Sequence, residues 1–354
     1  MRILFLFPYP EGCAASQRFR FEQYLELMLN RGYEIDRQSF LDKDSWDIFY
    51  KKGHFLKKVL GLTKGYLRRL LVLFRVGKYE YVFIHREVAP IGPPVFEWLI
   101  SKVWKKKIIY DFDDAIWISN SSDNNRFFSP LKWYSNAFRI CKWSYKVSAG
   151  NQFLADSVAG HNMNVVVNPT TIDTGKHHRY LTDHSNEIPV IGWTGSHSTV
   201  KYLDLIFPLL EQLRQELDFR LVIISDEQPV HYRHLFEFKP WNKTREIEDL
   251  MQFNIGIMPL TKDPWSEGKC GFKALQYMSL GIPALVSPVG VNENIVDEGI
   301  NGFICRNNSE WADRIRQLVE DRKTCLKMGK AARLKVVQEY SVEANTANFL
   351  NLFS

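Results

Sequence analysis

The sequence has no Cys-x-x-Cys pair, and its five cysteines (Cys13, Cys141, Cys270, Cys305 and Cys325) are odd in number and far apart. That argues against a disulfide framework and a structural zinc site, and it fits a reducing compartment. No apolar run is long enough to span a bilayer. The first apolar stretch, Ile3 to Phe7, is too short for the h-region of a signal peptide and is broken by Pro8. These absences predict a cytoplasmic protein, free or held on the cytoplasmic face of a membrane. The full Gly-x-Gly-x-x-Gly fingerprint of dinucleotide-binding domains is missing too. Acid is missing from one long stretch: Lys51 to Lys78 holds nine Lys and Arg and no Asp or Glu.

What remains is enough for two domains. The 354 residues are 45% hydrophobic and 24% charged, a globular composition with no sign of bulk disorder. Charge is divided unevenly. Residues 1–170 carry 25 Lys and Arg against 16 Asp and Glu, a net +9, and the remainder is −3. An anionic partner is therefore expected at the first half; no nucleic acid is expected.

Strand and helix signals alternate. RILFLFP (Arg2 to Pro8) is continuously apolar and ended by proline, the mark of a buried strand in a parallel sheet. A loop with Gly12 leads into a helix predicted over Gln17 to Asn30. YEIDRQS, VFIHRE, KIIYDFDD, KVSAG and NVVVNP supply further strands, with a helix from Gln152 to Ala159 among the connections. Residues 168–188 are aperiodic and rich in Pro, Thr, Asp and His, and read as a linker with exposed His177, His178 and His184. VIGWTGS then restarts the pattern with a helix over Thr199 to Leu217. The strands RLVIIS and FEFKPW, a helix N-capped by Thr244, and the strand IGIMPL follow. The expected organisation is α/β: a domain at 1–170, a linker at 171–187, a domain at 188–340, and a C-terminal helix at 341–354 that returns to the first. In doubly wound domains function gathers at the C-terminal ends of strands. His85, Arg86, Asp111, Asp113 and Asp114 sit at such ends.

The stretch EGKCGFKALQYMSLGIPALVSPVG, Glu267 to Gly290, organises the second half. Phe272, Leu275, Met278 and Leu280 have helical spacing after Gly271, and Gly281 with Pro283 stops the helix before the strand-like Ala284-Leu285-Val286. A loop feeding a helix N-terminus offers N–H groups and a partial positive charge to phosphate. Lys269 in the loop and Lys273 in the first turn oppose the helix dipole unless an anion binds there.

This stretch resembles the donor-binding segment of family 4 glycosyltransferases, retaining enzymes of the GT-B fold that use nucleotide-diphosphate sugars. LQYMSLGIP aligns with the family's Glu-Ala-Met-Ala-x-Gly-x-Pro run, so Gln276 stands where the second of two glutamates is usual. The first glutamate position falls on Gly268, beside Glu267. Gly195 and Lys201 keep the spacing of the family's Gly-Arg-x-x-x-x-Lys loop, with Ser196 in place of the arginine. The resemblance implies two Rossmann-like domains facing a central cleft. On the donor side it implies Gly195, Ser196, Lys201, Trp241, Lys269, Gly271, Phe272, Lys273, Gln276 and Glu293. It places Asp113 at or next to the family's active-site histidine, with Asp114 and Glu267 as further catalytic candidates, and Gly12, Arg18 and Arg86 on the acceptor side.

The activity so implied is sugar transfer with retention to an acceptor hydroxyl. The nucleotide sugar is a co-substrate, and no cofactor or metal is expected. Other readings stay open. Asp-x-Asp within DFDD also suits a metal-bound diphosphate, and Asp111 or Asp114 also suits a cap on the following segment. A nucleotide-sugar epimerase on this fold, or a nucleotide-sugar-binding subunit with little turnover, are the rival functions.

The acid-free stretch suggests where the acceptor lives. Phe55, Val59, Leu60, Leu67, Leu70, Leu71 and Phe74 recur at helical intervals among the basic residues, and Gly61 and Gly65 are expected to bend or divide the helix. Trp98, Trp104, Lys105, Lys106 and Lys107 form a second aromatic-basic cluster. A basic amphipathic helix fits an anionic membrane surface, and with it a lipid-linked or other saccharide acceptor.

Overall fold

A computed structural model describes residues 1–49, 51, 53–118 and 135–354. Lys52, in the basic stretch, lies outside the described residues. The chain divides into two compact units, Met1–Thr170 with Thr346–Ser354, and Thr171–Asn345.

The first unit is a parallel sheet of β1 (Arg2–Phe7), β2 (Glu34–Ser39), β3 (Tyr81–His85), β4 (Lys107–Phe112), β5 (Lys146–Ala149) and β6 (Val165–Val167), in the order β2-β1-β3-β4-β5-β6. The chain leaves β1 toward one edge and returns to its other side at β3. The loops after Phe7 and His85 therefore open at a topological switch point, where doubly wound sheets bind ligands. Beneath them Phe5, Phe21 and Phe83 pack in the core with Phe353 from the closing segment, and Tyr24 stacks on Phe349 with ring centroids 4.2 Å apart. The helix expected over Gln17 to Asn30 is broken into Ala15–Arg18, a 3-10 turn at Glu22–Tyr24 and Leu25–Asn30. The interruption lies where Arg20 and Phe21 turn into the core.

The basic stretch forms one uninterrupted helix, Phe55–Leu73. Gly61 and Gly65 do not divide it. A Cβ on Gly61 would lie 2.5 Å from Ser45 Oγ, and one on Gly65 would lie 2.5 Å from the Phe40 ring. Glycine is used there for close approach. The helix is also turned opposite to the usual sense. Arg69 is buried, donating to the carbonyls of Val88 (2.8 Å), Gln38 (3.0 Å) and Phe7 (2.9 Å), and Lys58 donates to the Lys51 carbonyl at 2.5 Å. Leu56, Leu60, Leu67, Leu71 and Phe74 face outward, with Leu56 77% and Phe74 81% exposed. No helix among the described residues is long and apolar enough to cross a membrane.

The second unit repeats the plan with β7 (Val190–Gly195), β8 (Arg220–Ser225), β9 (Glu237–Pro240), β10 (Ile255–Met258), β11 (Ala284–Val286) and β12 (Gly302–Ile304), in the order β12-β11-β10-β7-β8-β9. Its switch point lies between β7 and β10. Gly256 is required inside β10, because a Cβ there would sit 2.3 Å from the Tyr277 ring. That approach lets Tyr277 receive the Thr194 N–H on its hydroxyl at 2.9 Å, fixing the helix Phe272–Ser279 against the sheet.

Three local expectations are revised. The helix over Thr199 to Leu217 is split into His197–Val200, a 3-10 turn Lys201–Leu205 and Phe207–Leu213, with Pro208 in the first turn of the last piece. Thr244 caps nothing: its hydroxyl donates to Asn242 Oδ1 at 2.7 Å, and the helix starts at Glu246.

Residues 171–187 are an integral part of the second unit, with His178 and His184 buried. Their aperiodicity is that of a capping segment. Thr182 N–H and His184 Nε2–H donate to the carbonyls of Leu280 and Gly281, each at 2.9 Å, and Arg333 donates to the Ser279 and His178 carbonyls. The orphan carbonyls at the end of the helix Phe272–Ser279 are thereby satisfied. Burial lowers the pKa of His184, which favours the neutral ring this arrangement uses.

Candidate functional site

In the second unit the site is built at the C-terminal ends of the strands. Gly271 adopts φ +65°, and a Cβ on it would fall 2.1 Å from Ile295 Cδ1. Only glycine can open the helix in that way. Phe272 is half-buried behind it. Lys269 Nζ lies 4.9 Å from the Trp265 ring centroid and Lys273 Nζ 5.2 Å from that of Trp193. Both ammonium groups thus lie within cation–π range of an indole ring. Glu267 Oε2 accepts from Gly290 N at 2.8 Å, locking the loop before the helix to the turn after β11. Gly195 ends β7, and Ser196 with Thr199 forms a capping box on the next short helix. Trp241 follows β9 directly. Its Nε1 donates to Glu246 Oε1 at 3.4 Å, and Gln276 Nε2 donates to the same oxygen at 3.3 Å.

In the first unit the DFDD carboxylates are divided between two arginines. Asp111 is buried, 2.5 Å from Arg20 Nη2, 2.8 Å from His85 Nδ1 and 2.6 Å from Ser148 Oγ. Burial alone would raise its pKa, but the Arg20 charge and the His85 bond outweigh it and hold the carboxyl well below its ordinary range. Asp111 is therefore neither a cap nor a solvent-facing ligand. His85 Nε2 is buried with no partner among the described residues.

Asp113 Oδ1 takes Arg86 Nη2 at 2.8 Å and Nε at 3.1 Å, and Asp114 Oδ2 takes the same Nη2 at 2.8 Å. Burial opposes ionisation of Asp113, yet Arg86 pulls its pKa below the usual value. Arg86 itself has φ +60°, a left-handed backbone that costs a side-chain-bearing residue of order 1–3 kcal/mol. The Tyr110 hydroxyl, donating to the Arg86 carbonyl at 2.7 Å, helps hold it there. Such over-determined strain marks functional positions. Gly12, φ +73°, gives its N–H to Glu22 Oε2 at 2.8 Å, and Gln17 ties Glu22 to the Tyr9 carbonyl. The half-buried Arg18 has its guanidinium 4.9 Å from the Phe19 ring centroid. No group of three or more His, Cys, Asp or Glu suited to a metal ion occurs among the described residues.

Residues 188–321 match the model of the family described as glycosyl transferases group 1. The second unit carries a glycosyl transferases group 1 domain. No curated protein sequence matches the chain. Solved structures match it over nearly its whole length. A glycosyltransferase from Rickettsia africae is 14% identical with a TM-score of 0.69, covering 99% of this chain and 97% of that one. Sucrose-phosphate synthase from Thermosynechococcus elongatus is 13% identical with a TM-score of 0.68, covering 100% and 98%. Anabaena HepE in complex with UDP-glucose is 14% identical with a TM-score of 0.65, covering 99% of each. These likenesses establish the GT-B type of fold.

Within the two units the structure gathers some of the expected residues and leaves others apart. Gly271, Phe272, Lys273 and Lys269 share one helix opening, and Trp241 and Gln276 share one carboxylate. Lys201 is exposed, its Nζ 5.3 Å from the Tyr202 ring centroid, and Glu293 is exposed on the short helix Asn292–Ile295. Sequence reasoning missed two acids. Glu246 offers only a weak signal, an acid five residues past a tryptophan. Asp226 follows β8 directly and takes the His197 ring at 2.7 Å, raising the pKa of that histidine.

Proposed function

We propose that the enzyme moves a sugar from a nucleotide-diphosphate sugar to the hydroxyl of a lipid-linked saccharide, with retention of configuration. The observation that carries this reading is the helix opened by Gly271 near the switch point of the second sheet, with Lys269 and Lys273 beside it. Departure of a nucleoside diphosphate needs cations and oriented N–H groups that meet the developing charge. In the retaining reaction the leaving phosphate takes the acceptor proton on the face it departs from. Asp113, kept ionised by Arg86, steadies the positive charge that develops on the sugar. No metal or cofactor is assigned a part. The Anabaena structure that resembles this chain holds UDP-glucose, which supports the donor class.

Lys273→Ala is expected to weaken nucleoside diphosphate binding by about ten- to a hundred-fold, the worth of one charge-assisted contact, with Lys269→Ala smaller and nucleoside binding nearly unchanged. Titration calorimetry checks this. A folded wild type that binds none of the UDP-, GDP-, dTDP- and CMP-sugars overturns the donor reading.

The acceptor reading rests on the helix Phe55–Leu73. Its outward stripe of Leu56, Leu60, Leu67, Leu71 and Phe74 is flanked by exposed Lys57, Lys64 and Arg75. The second aromatic-basic cluster adjoins its C-terminal end, where Lys106 Nζ donates to the Gly77 carbonyl at 2.6 Å. An exposed apolar patch rimmed by cations fits an anionic lipid surface, each cation adding about 1 kcal/mol. Wild type is expected to float with anionic vesicles and not with neutral ones. Both Lys57/Lys64/Arg75→Glu and Leu60/Leu67/Leu71→Gln are expected to lose that binding. Equal behaviour of wild type and variants would leave the patch without a lipid role. Lys58 and Arg69 are unsuitable targets, since both are buried in the fold.

A further inference from the structure

Glu97 and Arg69 are buried opposite charges that no step proposed above uses. Glu97 is 2% exposed on the short helix Val95–Trp98, and Arg69 is 1% exposed on the helix Phe55–Leu73. Each holds Val88, from opposite sides. Glu97 Oε1 accepts the Val88 N–H at 3.0 Å, and Arg69 Nε donates to the Val88 carbonyl at 2.8 Å. The remaining Arg69 bonds go to the carbonyls of Phe7 and Gln38 and to Gln38 Oε1, so one guanidinium ties the ends of β1 and β2 to the loop after β3. A buried charge held away from its counter-charge is costly, and such groups mark functional positions.

What they hold is the turn that carries Arg86, two residues before Val88. Arg86 N–H is given to the Asp111 carbonyl and Glu87 N–H to the His85 carbonyl, each at 2.8 Å, while the Tyr110 hydroxyl donates to the Arg86 carbonyl. With Val88 taken from both sides, every N–H from 86 to 88 is engaged. A side-chain-bearing residue at φ +60° stays there only when its surroundings fix it in this way. Further along the same loop, the Tyr66 hydroxyl donates to the Ile91 carbonyl at 2.5 Å and Asn136 Nδ2 to the Gly92 carbonyl at 2.8 Å. The clamp stands behind Arg86, and Arg86 spans Asp113 and Asp114.

We infer that Glu97 and Arg69 are positioning residues for sugar transfer: by holding Val88 from both sides they keep Arg86 in its left-handed turn, and through Arg86 they keep Asp113 in place. The effect on rate rests on the transfer reading given above; the clamp itself does not. Its Glu97 end responds to pH. Burial pushes the Glu97 carboxyl up to about 7, against the pull of the Val88 N–H and the Arg69 charge. Glu87 adds repulsion, and Tyr66 and Tyr110 face the same carboxyl with phenols whose pKa values are raised by burial. The helix Asn136–Trp143, packed on Val95–Trp98, brings the exposed Arg139 and Cys141, a thiol that burial pushes up to about 12. An ionised carboxylate accepts a hydrogen bond more strongly than a neutral carboxyl. The clamp is therefore tight above neutrality and slack below it.

Hydrogen exchange of the full chain at pH 6 and pH 8, corrected for the intrinsic rate, tests the clamp, and single-turnover transfer over the same range tests its effect. In wild type the protection of residues 86–92 is expected to rise about ten-fold between the two pH values, the difference between bonds to a charged and a neutral acceptor, and kcat is expected to rise with it. Glu97→Gln keeps an acceptor oxygen and never ionises. Both quantities are expected to become independent of pH in that variant, with kcat at pH 8 about ten-fold below wild type and donor affinity unchanged. Arg69→Lys keeps the charge without the planar grip on several carbonyls, and is expected to lower the protection at both pH values. A folded Glu97→Gln that retains the wild-type pH dependence overturns the inference, as does one that shifts only the melting temperature. So does a wild type whose exchange at 86–92 is flat with pH, or whose exchange changes while kcat does not. A wild type that clamps as expected yet moves no sugar from any donor overturns the transfer reading and leaves the clamp standing.

Discussion

Asp111→Ala is expected to cost the first unit about 3–5 kcal/mol of stability, because it leaves the Arg20 guanidinium buried without its counter-charge. Both side chains are essentially inaccessible to water, and the same carboxylate also holds His85 and Ser148. Asp111→Asn is expected to cost less, since an amide oxygen still accepts one of these bonds. Urea unfolding at neutral pH, followed by a first-unit probe, measures the difference. A pH series adds a second check. The folded pKa of Asp111 lies below its ordinary value of 3.8. Its contribution is therefore complete above that value and is lost as pH falls through the lower folded pKa. The acid-side loss of stability in wild type is expected to shrink in Asp111→Ala. Unfolding of Asp111→Ala at the wild-type urea midpoint would show that the network supports nothing and return Asp111 to the reactive candidates.

The second large effect is on turnover. Asp113→Asn is expected to lower kcat by about 10²- to 10³-fold, the range seen when one electrostatic partner of a transition state is removed. Nucleotide affinity and melting temperature are expected to stay near wild type, because the amide still accepts from Arg86, and the donor elements belong to the other unit. Single-turnover sugar transfer with the acceptor in excess measures it. Asp114→Asn shares the Arg86 contact and is the matched control. A larger loss in Asp114→Asn would move the catalytic role to that residue. A rate abolished by chelators would assign the pair to a metal.

What the sequence discloses is local, and what it conceals acts through space. RILFLFP and RLVIIS read directly as β1 and β8, since a strand covered on both faces is apolar at every position. Gly271 followed by apolar residues at helical spacing reads directly as the opening of the helix Phe272–Ser279. Gly61 and Gly65 mislead, because intrinsic propensity marks them as breakers and only the neighbouring Ser45 and Phe40 explain them. Residues 171–187 mislead for a related reason. They bond mainly to carbonyl oxygens, which carry no side-chain signature, so a capping segment is written like a loose tether. Within the site, the helix opening is legible from its glycine and lysines. The Trp241–Glu246–Gln276 cluster is not, because three elements meet there whose spacing in sequence says nothing of their distance in space.

The helix Phe55–Leu73 also bears on how this chain can change over generations. Its attachment is made by two glycines, Leu62, Val72 and the inward Lys58 and Arg69. The outward leucines are outside the core. Selection on folding therefore acts on one stripe of the helix, and selection on whatever the other stripe meets acts on different letters. The two can drift independently, so relatives can be retuned to new surroundings by rewriting the outward positions alone while the scaffold stays in place.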